Sequence, residues 1–126
     1  MKYKKLGNSD LIVSSICMGC MGFGDSKNGQ HSWTIDEMET KKIIKLALEA
    51  GINFYDTALA YQNGTSEEFT GKALRELAKR DEYIVATKFL PRSLKEIESK
   101  VSGQKHIENS INSSLKNLGL DYVDLY

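Results

Sequence analysis

Three residues in this 126-residue chain combine types and spacing suited to proton transfer: Asp56, Tyr61 and Lys88. Asp56 directly follows Asn53-Phe54-Tyr55, Tyr61 lies in the loop just beyond it, and Lys88 directly follows Ile84-Val85-Ala86-Thr87. Both runs read as buried strands, which puts Asp56 and Lys88 at strand C-terminal ends. A phenol is a weak acid at neutral pH, with an ordinary pKa of about 10. A nearby ammonium favours its ionised form, and a carboxylate paired with that ammonium holds it charged and in place. Such a phenol can hand a proton to a carbonyl oxygen as hydride reaches the carbon. Spacing alone leaves a second reading open, an Asp–Lys ion pair with an unrelated loop tyrosine.

The elements that must position these residues follow a regular rhythm. Lys2–Leu6 and Leu11–Val13 flank Gly7-Asn8-Ser9-Asp10 and read as a hairpin. Ser15–Gly19 reads as a first buried strand, followed by Gly19-Cys20-Met21-Gly22-Phe23-Gly24 and a polar loop through Trp33. Thr34-Ile35-Asp36-Glu37 fits a capping box opening a helix, with Met38, Ile44, Ala47 and Leu48 along one side and Gly51 after its end. Ile52–Tyr55 is the second strand. Thr65-Ser66-Glu67-Glu68 fits a second capping box, opening a helix that turns Phe69, Ala73, Leu74 and Leu77 inward. Tyr83–Thr87 is the third strand, and Leu90–Gln104 is a long loop with a helical turn from Ser93. A third helix carries Ile107, Ile111, Leu115 and Leu118 and is closed by Gly119; Tyr122–Tyr126 begins a fourth strand.

This βαβαβαβ order calls for a parallel sheet with helices packed on it. The glycines after the first strand are spaced GxxGxG, with a long loop before the helix. A doubly wound nucleotide fold wants GxGxxG leading straight into the helix. A (β/α)8 barrel fits better but needs roughly 250 residues. The expected fold is therefore the N-terminal half of such a barrel, a hairpin plus about four strands and three helices, forming a single domain over residues 1–126. Isolated, a half-barrel exposes sheet edges and an apolar inner face. The chain is accordingly read as part of a longer protein or a truncated product, able to self-associate through those edges.

Equal numbers of basic and acidic residues, 17 each, give no basic surface for nucleic acid. No apolar run approaches the roughly 18 residues of a membrane span, and no signal-peptide core follows the basic start. These features predict a cytoplasmic protein without nucleic-acid or membrane partners. Cys17 and Cys20 form a CxxC, but no further cysteine completes a metal site, and the only histidines are His31 and His106. The expectation is two small buried or loop residues, with no metal.

The stretch Gly51-Ile52-Asn53-Phe54-Tyr55-Asp56-Thr57-Ala58, with Tyr61 and Gly64-Thr65-Ser66-Glu67-Glu68, resembles the signature of the aldo-keto reductase superfamily. Gly71-Lys72-Ala73-Leu74, Ala86-Thr87-Lys88, Leu6-Gly7-Asn8-Ser9-Asp10-Leu11 and Leu118-Gly119-Leu120-Asp121-Tyr122-Val123-Asp124 extend the likeness over essentially the whole chain. The resemblance implies a (β/α)8 barrel that binds NADP(H), with NAD(H) the rarer alternative, and reversibly reduces a small aldehyde or ketone to an alcohol. It implies Tyr61 as proton donor, Lys88 as the cation that acidifies the phenol and Asp56 as support for Lys88. It also implies that Gly19, Cys20, Met21 and Gly22, with Asp56, lie beside the nicotinamide. The family's fourth catalytic residue, a histidine just past the fourth strand, falls beyond Tyr126. His106 is expected on a solvated helix face, and His31 sits with Trp33 in the first loop, as a substrate contact or an ordinary surface residue.

Within the superfamily the pattern looks closest to a bacterial branch acting on small or sugar-derived carbonyls. The isolated 126 residues lack most of the implied cofactor site and are expected to be inactive alone. Two further readings stay open: a non-catalytic product, truncated or accessory like the channel subunits built on this fold, and a pair of copies completing a barrel-like core.

Overall fold

The structure, a computed structural model, describes residues 1–126. Its chain opens with the expected hairpin: β1 (Tyr3–Lys5) pairs antiparallel with β2 (Ile12–Ser14), and Lys4 stands opposite Val13. The predicted first buried strand is cut to β3 (Met18–Gly19), because the chain turns away between Ser14 and Met18. β3, β4 (Phe54–Asp56) and β5 (Ile84–Ala86) form a parallel sheet in that order. The register places Gly19 beside Asp56, and Asp56 beside Ala86, so the strand ends carrying the candidate residues are neighbours.

The expected fourth strand contributes a single parallel bridge, Leu125 to Ala86. Its neighbour Asp124 explains why the ladder goes no further. The Asp124 carboxylate accepts the Val85 N–H at 2.8 Å and an Arg80 N–H at 2.6 Å, replacing a main-chain partner with a side chain.

Helices α1 (Glu37–Glu49), α2 (Thr65–Leu77), α3 (Leu94–Glu98) and α4 (Gly103–Leu118) complete the chain. Ile44, Ala47, Tyr55, Ala73, Leu74, Val85 and Leu118 join in one core between helices and sheet. Neither capping box forms as read. Asp36, not Thr34, caps α1 by accepting the Glu39 N–H at 2.9 Å, and Gly64 in a left-handed conformation precedes α2, with Thr65 already helical. Met38 is exposed rather than inward, one position off the Ile44–Ala47 stripe. The Ser93 turn does form a helix, α3, with a capping box closed by Glu96. No helix is long and apolar enough to cross a membrane.

The packed face of α4 is His106, Ser110, Ser114 and Leu118, one residue displaced from the apolar stripe, and Ile107 is left exposed. His106 is therefore buried, correcting its expected place on a solvated face. Its Nδ1 meets Glu96 Oε1 at 2.8 Å and its Nε2 meets the Leu90 carbonyl. Two acceptors on one ring favour the doubly protonated cation. Glu96 first, then the Leu90 carbonyl, raises the His106 pKa above its ordinary 6.5. His106 first, then the Ser93 amide and hydroxyl, pulls Glu96 down to about 2.

The signs of these two shifts define a window. The raised histidine contributes stability fully below pH 6.5 and loses it as pH climbs through the folded-state value; the lowered carboxylate contributes fully above pH 4.5 and loses it as pH falls toward about 2. The α3–α4 contact is thus strongest between pH 4.5 and 6.5. Thermal unfolding followed upward from pH 6.5 should show the midpoint falling in the parent and a flatter profile in Glu96→Gln. Equal slopes in both proteins would contradict the assignment.

Candidate functional site

Asp56 ends β4 and Lys88 lies just beyond β5, and the parallel register brings their side chains together at one rim of the sheet. Lys88 Nζ donates to Asp56 Oδ1 and Oδ2, both at 2.9 Å, and to the Thr57 carbonyl at 2.7 Å. All three ammonium protons are thereby used. The pair is open to solvent, with 48% of the Lys88 side chain and 37% of that of Asp56 exposed. Tyr61 begins a short 3-10 turn, Tyr61–Gly64, and its ring centroid lies 5.2 Å from Lys88 Nζ. The ammonium thus addresses the face of the tyrosine ring, a cation–π placement, while its protons go to Asp56 and Thr57. None of the three surface hollows is lined by Asp56, Tyr61 or Lys88, so the trio occupies an open rim.

The turn after β3 borders the same rim. Cys20 N–H donates to the Asp56 carbonyl at 2.8 Å, and a side chain built on Gly19 would meet nothing within 4 Å. Bare backbone beside Asp56 is a surface on which a flat ring can rest. That observation fits the nicotinamide expected of the family. Met21 is exposed, whereas Cys20 is fully buried and its thiol donates toward the Met18 carbonyl at 3.4 Å. Only the backbone of Cys20 can therefore face a ligand. Burial pushes its thiol up to about 12, which makes it a poor nucleophile. Cys17 is exposed and its thiol is also raised, chiefly by desolvation and then by the Asp56 charge. Both cysteines are free, and no group of side chains is arranged to hold a metal.

Beneath the rim, the start of α2 ties the strand ends together through polar groups to which sequence patterns gave no such role. Ser66 Oγ donates to the Cys20 carbonyl at 2.7 Å and lies 3.1 Å from Thr57 Oγ1. The fully buried Glu67 carboxylate accepts from Thr87 Oγ1 at 2.6 Å and Asn117 Nδ2 at 2.9 Å. A buried carboxylate is tolerated only with such partners. Thr87 adjoins Lys88, so Glu67 anchors the strand end that presents the ammonium. A carboxylate inside a helix whose neighbours face the core was the available signal.

Gln62, directly after Tyr61, also escaped the sequence reading. Gln62 and Asn63 both have positive φ, 48° and 52°. That conformation costs a side-chain-bearing residue about 1–2 kcal/mol. It turns the Gln62 side chain inward, where it is 1% exposed.

Comparisons with known proteins span most of the chain. The model of the Aldo/keto reductase family matches residues 15–126. The chain is 36% identical over 127 residues to a protein of Oryza sativa subsp. japonica named "Probable voltage-gated potassium channel subunit beta". It is 35% identical over 126 residues to "Aldo-keto reductase YhdN" of Bacillus subtilis (strain 168). Those alignments cover 99% and 100% of this chain but 36% and 37% of the relatives, so the chain spans little more than a third of their length. Among solved structures, the aldo-keto reductase AKR11C1 from Bacillus halodurans matches with a TM-score of 0.78 at 35% identity, covering 100% of this chain and 39% of that one.

Proposed function

This chain belongs to the aldo/keto reductase family, and we propose that its protein is an NADP(H)-dependent oxidoreductase that reduces a small aldehyde or ketone to an alcohol. Its sheet and helices are part of a parallel (β/α)8 barrel, and we take residues 1–126 as the N-terminal portion of that single domain. The observation that carries the reading is the Lys88 ammonium, clamped by Asp56 and Thr57 and set against the ring of Tyr61.

In this reading the cofactor, when bound, supplies the hydride. Gly19, Met21 and Gly22, with the backbone of Cys20, would hold its nicotinamide end, with Asp56 beside them. Tyr61 gives its phenolic proton to the carbonyl oxygen as negative charge develops there. Lys88 stabilises the phenolate left behind, and Asp56 keeps the ammonium in place. In the oxidative direction the phenolate takes the proton back.

The test is reduced-nicotinamide oxidation by protein expressed from the gene's whole reading frame, however far it runs, with aldehydes and ketones offered in turn. Carbonyl-dependent oxidation, faster with NADPH than NADH, is expected; bound cofactor with no turnover on any carbonyl would overturn the reading. Residues 1–126 alone should show no turnover and should self-associate in sedimentation. Leu94, Ile97, Ile107 and Leu125 are exposed apolar side chains that favour that association. A compact active monomer would contradict both expectations.

Asp56→Asn should lower kcat by about ten- to a hundredfold, by freeing the ammonium, and change unfolding free energy by only about 0–1 kcal/mol, because the pair is exposed. A large loss of stability with unchanged kcat would make the pair structural. The name of the Oryza relative, a channel subunit beta, favours a second reading, a non-catalytic accessory subunit, and the same oxidation assay separates the two.

A further inference from the structure

We propose that Gln62 is a positioning residue that holds the 25–34 loop, and with it the stacked His31–Trp33 pair, in register with Tyr61 as an aromatic wall of the substrate site. The wall's role rests on the reductase reading above; the anchoring does not.

Gln62 follows Tyr61 directly, and its side-chain amide is spent almost entirely on the first loop. Nε2 donates to the Asp25 carbonyl and the His31 carbonyl, both at 2.9 Å, and to Thr34 Oγ1 at 3.2 Å. Oε1 accepts the His31 N–H at 2.8 Å. That last bond fixes which way the amide points, since the flipped orientation would set two donors against each other. The loop is shaped around this side chain. A Cβ on Gly24 would come within 2.7 Å of Gln62 Cβ, and one on Gly29 within 2.7 Å of Gln62 Cα. Thr65 Oγ1 accepts the Asp25 N–H at 2.9 Å and donates to the Gln62 carbonyl at 2.8 Å, closing the same junction.

What the anchored loop presents is a flat aromatic face. The rings of His31 and Trp33 stack with centroids 4.7 Å apart and 28° between planes. Trp33 packs toward Gly22, in the turn beyond β3, yet remains 57% exposed. A large π surface left open beside that turn suits a carbonyl substrate carrying an aromatic ring, which gains stacking area a short aliphatic aldehyde does not. Gln62 thus couples the wall to Tyr61 through one peptide unit.

Trp33 is the only tryptophan of the 126 residues, and in protein from the whole reading frame the emission lost in Trp33→Phe isolates its signal. Gln62→Glu keeps size and shape but turns a donor into a second acceptor facing the Asp25 and His31 carbonyls. In this variant, with cooperative unfolding retained, acrylamide should quench Trp33 more readily than in the parent. In protein from the whole reading frame, the same variant should raise KM for benzaldehyde about five- to tenfold and for propanal far less. Trp33→Ala, a change on an exposed side chain, should reproduce the split, and Gln62→Glu should add little to it. Unchanged quenching in Gln62→Glu and Gln62→Ala would sink the anchor, and equal KM rises for both aldehydes would sink the wall. Released Trp33 with no carbonyl turnover in the parent would instead sink the reductase reading and leave the anchor standing.

Discussion

Replacing Tyr61 by Phe in protein expressed from the whole reading frame is expected to lower kcat for carbonyl reduction about a thousandfold while reduced-nicotinamide binding stays near the parent value. The expectation follows from what the substitution removes. Phe keeps the ring and its contact with the Lys88 ammonium, whose nitrogen lies 5.2 Å from the ring centroid. Only the hydroxyl goes, and with it the proton that neutralises the developing alkoxide. Positioned acid–base groups contribute roughly a hundred- to ten-thousandfold. Since the backbone turn at Gly19–Gly22 is untouched, cofactor affinity should barely move. A variant that retains turnover would show that Tyr61 is not the donor, and one that loses cofactor binding would show that its role lies in the binding surface.

The largest structural effect should come from Gly71, on the face of α2 that meets the end of α4. A Cβ there would lie 2.1 Å from the Leu118 carbonyl oxygen and 2.6 Å from Leu118 Cα. Both are backbone atoms, so no rotamer change can relieve the clash and the helices must move apart. Gly71→Ala should cost about 3 kcal/mol, the upper end of overpacking penalties. Gly103→Ala is the matched control. It stands in the first turn of α4 with nothing within 4 Å of its Cβ position. Removing glycine's extra backbone freedom there should stabilise by about 0.5 kcal/mol. Denaturant midpoints give both values, and equal effects at the two sites would show that the close α2–α4 approach does not govern the cost.

The difference between these glycines marks what a sequence can and cannot convey. Strand runs such as Ile84–Ala86, the left-handed Gly119 and the inward stripe of Ala73 and Leu74 were legible, because each follows from local pattern and hydrophobicity. So was the meeting of Asp56 and Lys88, which requires only that consecutive parallel strands be neighbours.

The misread features share a cause in tertiary competition. Thr34 looks like a helix cap, but its hydroxyl is taken by Gln62 and the His31 carbonyl, and Asp36 caps the helix instead. Thr65 is likewise claimed by Asp25. His106 looks like a surface residue on an amphipathic helix until Glu96 and Leu90, from the preceding loop and helix, supply two acceptors. Gln62 carries no local mark at all. Its partners lie in a loop some thirty residues earlier, and only the fold brings them within reach.

Isotope tracing tests the central claim most directly. Protein expressed from the whole reading frame would be supplied with a carbonyl and reduced nicotinamide cofactor in which both hydrogens of the reactive ring carbon are deuterium, and the alcohol analysed by mass spectrometry. One deuterium is expected on the former carbonyl carbon, with the hydroxyl proton drawn from solvent through Tyr61. Alcohol without deuterium, or oxidised cofactor with no alcohol formed, would contradict it.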